Sequence, residues 1–321
     1  MPQRRTVCGN CFTNFKLFYM SQLWSKLLFT LALAVGFVWL IVTKIPDNNL
    51  HLIFCDVGQG DAILVTYKTT QILIDGGPDR KVLDCLAKFM PIWDHQIEAI
   101  LLTHPQADHA TGLISVIRRY QISSFLTTLL HPTAQFANTL EQELNHQSVP
   151  VVFSDSTTSL RYSLVKLDIV WPTPQFLATT NNDPTCLAQK DDHVLGCRTT
   201  PQDLNFFSQV VHLKFNQFDA LLTGDADSQV QGEILATGQI FPVEILKFPH
   251  HGSKTGLAPQ FLHQVSPQLA VISVGKNSYG HPTPEALNLL DQNHAPYLRT
   301  DQVGDIEVIT NGTTWWINHQ L

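Results

Sequence analysis

Residues 103–112 read T-H-P-Q-A-D-H-A-T-G, and the fold turns on how this stretch is read. An apolar run, I-E-A-I-L-L over residues 97–102, leads into it, and the helical periodicity of residues 109–120 leads out. The segment is therefore a turn at the C-terminal end of a strand, where open α/β sheets place their chemistry. Two imidazoles, His104 and His109, and one carboxylate, Asp108, share it. Neutral imidazole and carboxylate are ligands that zinc, manganese and iron accept. The plainer reading is a polar strand–helix connection with Asp108 set against a helix N-terminus. Other strand ends decide between the two.

Further along, the arrangement recurs. Residues 207–215 and 218–223 read as a hairpin whose second arm ends in Gly224-Asp225. Residues 243–248 run into P-H-H-G-S (249–253), and the strand 269–275 runs into K-N-S-Y-G-H-P-T-P (276–284). Asp225, His250, His251 and His281 thus join His104, Asp108 and His109 at strand-to-loop junctions. Nitrogen and oxygen ligands of this kind, with a carboxylate able to bridge, suit a pair of divalent ions. Such a pair activates water and clamps both oxygens of a phosphoryl displacement. His51, His95, His131, His146 and His294 have no partners in sequence and read as surface or satisfied core residues.

The remaining pattern supplies the scaffold. Strands are expected over 50–56, 61–67, 71–75 and 164–171, and a helix over 81–89. Helices are expected over 228–237, 259–265 and 284–292, and closing strands over 295–299, 306–310 and 314–319. Residues 172–203, rich in Thr, Asn, Asp and Pro, have no clear period, as in a functional or mobile loop. Both halves read as a strand meander followed by strand–loop–helix units. That pattern predicts two similar α/β halves packed sheet to sheet, with helices outside.

The N-terminus is of another character. Residues 24–43 form an apolar run whose uncharged core, 27–43, approaches the length of a bilayer span, with Trp24 and Trp39 as interface anchors. Arg4, Arg5, Lys16 and Lys26 precede it, so residues 1–23 are expected in the cytoplasm and residues 49–321 outside. No small-x-small cleavage site follows, which argues for an anchor in the cell membrane over a removed signal. Residues 1–48 carry five Lys and Arg against Asp47 alone, leaving 15 basic and 26 acidic residues in 49–321. A body that acidic is an awkward binder of a long nucleic-acid footprint. The six cysteines lack the paired C-x-x-C spacing of a zinc ribbon, and Cys8-Gly-Asn-Cys11 stands alone. Cys186 and Cys197 flank a polar loop and would pair in an oxidising compartment.

Taken together, D-V-G-Q-G-D-A (56–62), L-I-D-G-G (73–77), L-T-H-P-Q-A-D-H-A-T-G (102–112), L-L-T-G-D (221–225), P-H-H-G-S-K-T (249–255), S-V-G-K-N-S-Y-G-H-P (273–282) and T-D-Q-V-G-D-I-E-V (300–308) resemble the metallo-β-lactamase fold. Their wording is similar to the nuclease-like domain of ComEC-type DNA-uptake proteins. The resemblance implies an αβ/βα four-layer sandwich and a divalent-metal phosphodiesterase or nuclease using two Mn²⁺ or Zn²⁺ ions. It implies His104, Asp108, His109 and Asp225 as ligands, Asp225 as the bridge, and one or both of His250 and His251 completing the shell. Asp108 would also act on the nucleophilic water as base or by orienting it. Ser253, Lys254, Asn277, Tyr279 and His281 would line the substrate side. DNA is the substrate it implies, and a separately encoded multi-helix membrane channel the partner.

Two departures stand out. The family motif reads H-x-H-x-D-H, with Asp often at the middle position in ComEC-type proteins; here that position is Gln106, a neutral and poorer ligand. The chain also has one apolar span where a ComEC-type protein has a multi-helix channel. Two other readings follow: hydrolysis of a small ester, thioester or amide, or a non-catalytic binding module left by gene truncation.

Overall fold

The computed structural model describes residues 24–37, 39, 46–131, 135–180, 195–196 and 198–318. The chain divides into two compact units, Met1–Ile45 and Pro46–Leu321. In the first, residues 24–37 form a helix, α1, whose apolar side chains are exposed. Among the described residues no helix is long and apolar enough to cross a membrane. The expected span over 24–43 and the segment 1–23 fall partly or wholly outside them, as do Cys8, Cys11, Cys186 and Cys197.

The second unit begins with β1 (Leu50–Phe54), β2 (Ile63–Tyr67), β3 (Thr70–Ile74), α2 (Val82–Phe89), β4 (Gln96–Ile97) and β5 (Ala99–Leu101). It continues with α3 (Ala107–Arg119), β6 (Gln121–Ile122), β7 (Phe125–Thr127), α4 (Phe136–His146) and β8 (Val151–Phe153). Then come β9 (Ser159–Tyr162), β10 (Val165–Trp171), α5 (Pro174–Leu177), β11 (Val210–Phe215), β12 (Phe218–Leu222) and α6 (Ser228–Ala236). The chain closes with β13 (Ile245–Lys247), α7 (Pro259–Val265), β14 (Leu269–Ile272), α8 (Pro284–Gln292), β15 (Tyr297–Arg299), α9 (Thr300–Val303), β16 (Ile306–Thr310) and β17 (Trp315–Asn318).

These strands make two large sheets. One runs β17-β16-β1-β2-β3-β5-β7-β8 and the other β15-β14-β13-β12-β11-β10-β9. Each is antiparallel on its meander side and parallel from β3 to β8 or from β12 to β15. The parallel strands β5 (A-I-L) and β14 (L-A-V-I) are buried throughout, as strands covered on both faces must be. Leu52, Phe54, Val65 and Leu101 of the first sheet pack with Leu167, Val211, Leu213 and Val271 of the second. On the outer face of the first sheet, Leu64, Leu73 and Ile100 share a core with Leu86 of α2 and Leu113 and Val116 of α3. On the outer face of the second, Leu246 and Ala270 share one with Val230 and Ile234 of α6 and Phe261 of α7. Helix, sheet, sheet, helix is the expected four-layer order.

Details depart from expectation. The opening turn is shorter than the sequence suggested: α3 starts at Ala107, so Asp108 and His109 stand on its first turn and His104 remains in the loop. Gly112 permits this, since a Cβ there would meet the Gly76 carbonyl oxygen at 1.9 Å. A short helix, α9, interrupts the closing strands. Cys55 and Cys85 form a buried disulfide between the end of β1 and α2, a pairing the sequence reading did not identify.

Candidate metal centre

The site is assembled at strand ends from both sheets. β3 leads directly into Asp75, held at φ 59° and fully enclosed. Its Oδ1 accepts a hydrogen bond from the Thr103 amide at 2.8 Å. Its Oδ2 accepts from the Thr103 hydroxyl at 2.7 Å and from His109 Nδ1 at 2.8 Å. With Nδ1 of His109 engaged, Nε2 faces the site, 3.3 Å from Asp225 Oδ2. This is the carboxylate–histidine arrangement that fixes the tautomer of metal-binding imidazoles.

His251 is oriented in the same way. Its Nδ1 donates to the Ser273 carbonyl at 2.9 Å, while Nε2 lies 3.4 Å from both Asp108 Oδ2 and Asp225 Oδ2. One ligand atom from each of Asp108, His109, Asp225 and His251 lies within 4.8 Å of the others. Nε2 of His104, His109 and His251 are all buried without a hydrogen-bond partner. Orphaned imidazole nitrogens at low dielectric are costly, and a divalent cation satisfies the donor set in which Nε2 of His109 and His251 face Asp108 and Asp225.

The protonation pattern says the same in another form. Burial disfavours charge on His109 and His251, yet Asp225, with Asp75 and Asp108 or Asp61, raises both well above the ordinary imidazole range. Burial likewise opposes ionisation of Asp225, but His251, His109 and Lys247 hold it well below the usual carboxylate range. Asp108 is also lowered, against its burial, chiefly by His109. The cavity therefore favours positive charge among fixed carboxylates. His104 differs: burial and then neighbouring His109 push it down to about 3.

Not every expected residue joins this group. His250 and His251 both adopt left-handed backbone, φ 51° and 53°, in the turn Pro249–Gly252, which turns their rings apart. His251 enters the cluster, whereas His250 stands 3.5 Å from Asn205 Nδ2 and 5.6 Å, ring to ring, from His281. His104 packs on His109 with ring centroids 4.2 Å apart but lies outside the four-residue group. Asn277 is a loop staple: its amide donates to the Gly275 and His281 carbonyls and its oxygen accepts from the Tyr279 and His281 amides. Its side chain is thus spent within its own loop. The same bonds present Tyr279, 72% exposed, beside His281. Ser253 is buried and closes a turn onto Thr255; Lys254 is exposed.

Four residues went unassigned in the sequence reading. Asp75 lies in L-I-D-G-G and Asp61 in D-V-G-Q-G-D-A, motifs noted for resemblance without a role for the carboxylates. Lys247 is fully buried, ion-paired with Asp61, 3.5 Å from Asp225 Oδ1, and donates to the Gly224 carbonyl at 2.8 Å. A lysine in the apolar run 243–248 was the available signal. Ser208, whose Oγ accepts from the Asp225 amide at 2.9 Å, had none.

Comparison with known proteins agrees with this geometry. The chain is 24% identical over 273 residues to ComE operon protein 3 of Bacillus subtilis, covering 78% of this chain and 32% of that protein. It is 23% identical over 277 residues to Recombination protein 2 of Haemophilus influenzae, covering 85% and 30% respectively. The chain thus spans about a third of the length of these relatives. Among solved structures, the metallo-beta-lactamase fold protein YhfI from Bacillus subtilis aligns with a TM-score of 0.47 at 10% identity, over 84% of this chain and 100% of that one. The family profile of the metallo-beta-lactamase superfamily matches residues 55–276, from the end of β1 to the loop after β14. By its profile, its paired sheets and the ligand-type side chains at their strand ends, the chain belongs to the metallo-β-lactamase superfamily.

Proposed function

We propose that the protein is a divalent-metal-dependent phosphodiesterase that cleaves DNA in competence-type DNA uptake. The observation that carries the reading is the convergence of Asp108, His109, Asp225 and His251 on one point, with the Nε2 atoms of both histidines unsatisfied. An ion bound there supplies Lewis acidity toward a phosphoryl oxygen and acidifies a water. Asp108 has the one partly exposed side chain of the four, at 32%, and is placed to accept the proton of the attacking water. Asp75 holds His109 and the Ser273 carbonyl holds His251, so neither ring turns as charge develops. The exposed Tyr279 offers a flat face to a base, and Lys254 a charge to phosphate. The resemblance to ComEC-type proteins and the two relatives named for the ComE operon and for recombination favour DNA over other phosphodiesters.

The same reading puts the chain in the cell membrane, with residues 49–321 outside the cytoplasm and a multi-helix DNA-uptake channel as partner. Support comes from α1, where Leu28, Phe29 and Phe37 are each more than 60% exposed, an apolar surface that suits lipid. The buried Cys55–Cys85 disulfide suits an oxidising compartment. The acidic excess of residues 49–321 favours a second reading, hydrolysis of a small ester, thioester or amide on the same centre. One experiment addresses both. The full chain in detergent with Mn²⁺ is expected to nick single- or double-stranded DNA, and His109→Ala to abolish the activity. Ester or thioester turnover without DNA cleavage, at any added metal, would replace the first reading with the second.

A further inference from the structure

Proteins of this fold bind divalent ions, usually two. We infer that this chain holds one ion tightly, on Asp108, His109, Asp225 and His251, and lacks the ligands to retain a second beside His104. The inference rests on the metal-centre reading above and concerns how many ions that centre keeps.

Around His104 the donor set is thin. Its Nδ1 is taken up by the hydroxyls of Thr103, at 3.1 Å, and Ser208, at 3.3 Å, which leaves Nε2 as its ligand atom. Among the described residues it belongs to no group of three or more His, Cys, Asp or Glu with converging ligand atoms. Where the family motif supplies a second imidazole or a carboxylate, Gln106 supplies a neutral amide. That amide is engaged elsewhere, its Nε2 donating to Asn205 Oδ1 at 2.9 Å. Asp225, the carboxylate that acts most strongly on His104, is already engaged: its Oδ2 faces His109 and His251 while Oδ1 faces Lys247. One imidazole and a share of one carboxylate do not match the three or four ligands that zinc or manganese requires.

The other carboxylate-rich group, Asp61, Asp75 and His109, does not make up the deficit. Lys247 pairs with Asp61, and Asp75 accepts from Thr103 twice and from His109. An ion entering there would have to displace a fully enclosed ammonium and break the bond that orients His109. The charge of Asp61 is already met by the protein's own ammonium.

Elemental analysis of the full chain, purified in detergent with Mn²⁺ or Zn²⁺ and then dialysed, tests the count. Wild type and His104→Ala are each expected to retain one ion, His251→Ala none, and Gln106→Asp two. Gln106 is only partly buried, so its substitution tests the idea even where a core variant fails to fold. Two ions on wild type, or Gln106→Asp remaining at one, would overturn the inference while leaving the metal centre itself standing. No ion on wild type would remove both.

Discussion

At the scale of single residues, Lys247 is the least expected participant. An ammonium with no exposed surface is tolerated because Asp61, Asp225 and the Gly224 carbonyl surround it. Removing one member of such a buried set leaves the others unpaired, at a cost of about 3–5 kcal/mol. Lys247→Met is therefore expected to lower the urea midpoint strongly, and Lys247→Met with Asp61→Asn to recover much of the loss. Equal instability of the single and double variants would show that packing, not charge, is what Lys247 supplies. The histidines carry a pH dependence of known sign. Without an ion, His109 and His251 titrate above the ordinary imidazole value, so their contribution to stability is full below about 6.5 and fades as pH rises through the raised values. A cation must displace those protons, so affinity for Mn²⁺ should increase with pH, with proton release in calorimetry across buffers of different ionisation heat. Binding with no proton release would contradict this account. Asp108, His109 and Asp225 were legible because each stands at a junction between an apolar run and a polar turn. The choice of His251 over His250 was not, because it depends on two successive left-handed residues that no composition signal marks.

Among the elements, legibility follows the strength of local signals. α7 and α8 begin and end where the sequence placed them, each opening on a proline suited to the first helical position. β13 was read as residues 243–248 but pairs only over Ile245–Lys247. Val243 is buried as expected, yet its amide donates to Val265 at the end of α7, so burial outruns the ladder there. α9 is four residues long and offers no period to read. The Cys55–Cys85 pairing joins positions 30 residues apart, and spacing alone does not select a partner at that range. Its structural meaning is a tie between β1 and α2 just ahead of the loop that delivers Asp61. Closing a loop of that size stabilises by about 3–4 kcal/mol through the unfolded chain. Replacing both cysteines by alanine should lower the melting temperature by several degrees, and reduction of the wild type should lower it to the same extent. A melting temperature unmoved by either change would mean that the two thiols do not pair in solution.

For the molecule as a whole, the paired sheets explain why one short motif was informative about so much of the chain. Ligand-type side chains from both halves meet only if β3, β5, β12, β13 and β14 all end on the same side, and the sandwich provides that. The proposed membrane location draws on other features of the chain. Its disulfide favours an oxidising compartment, its N-terminal helix exposes apolar side chains to its surroundings, and its basic residues precede that helix. These three features support the topology proposed above: residues 1–23 inside, an anchor over 24–43, and the metal centre outside. The full chain is therefore expected in the membrane fraction, resistant to high salt and released by detergent, while a variant lacking residues 1–45 leaves that fraction. Protease added to intact spheroplasts should digest the body but spare a tag placed at residue 1. A body protected from protease until the membrane is opened would reverse the orientation, and would place the disulfide and the DNA-cleaving reading in conflict with the compartment.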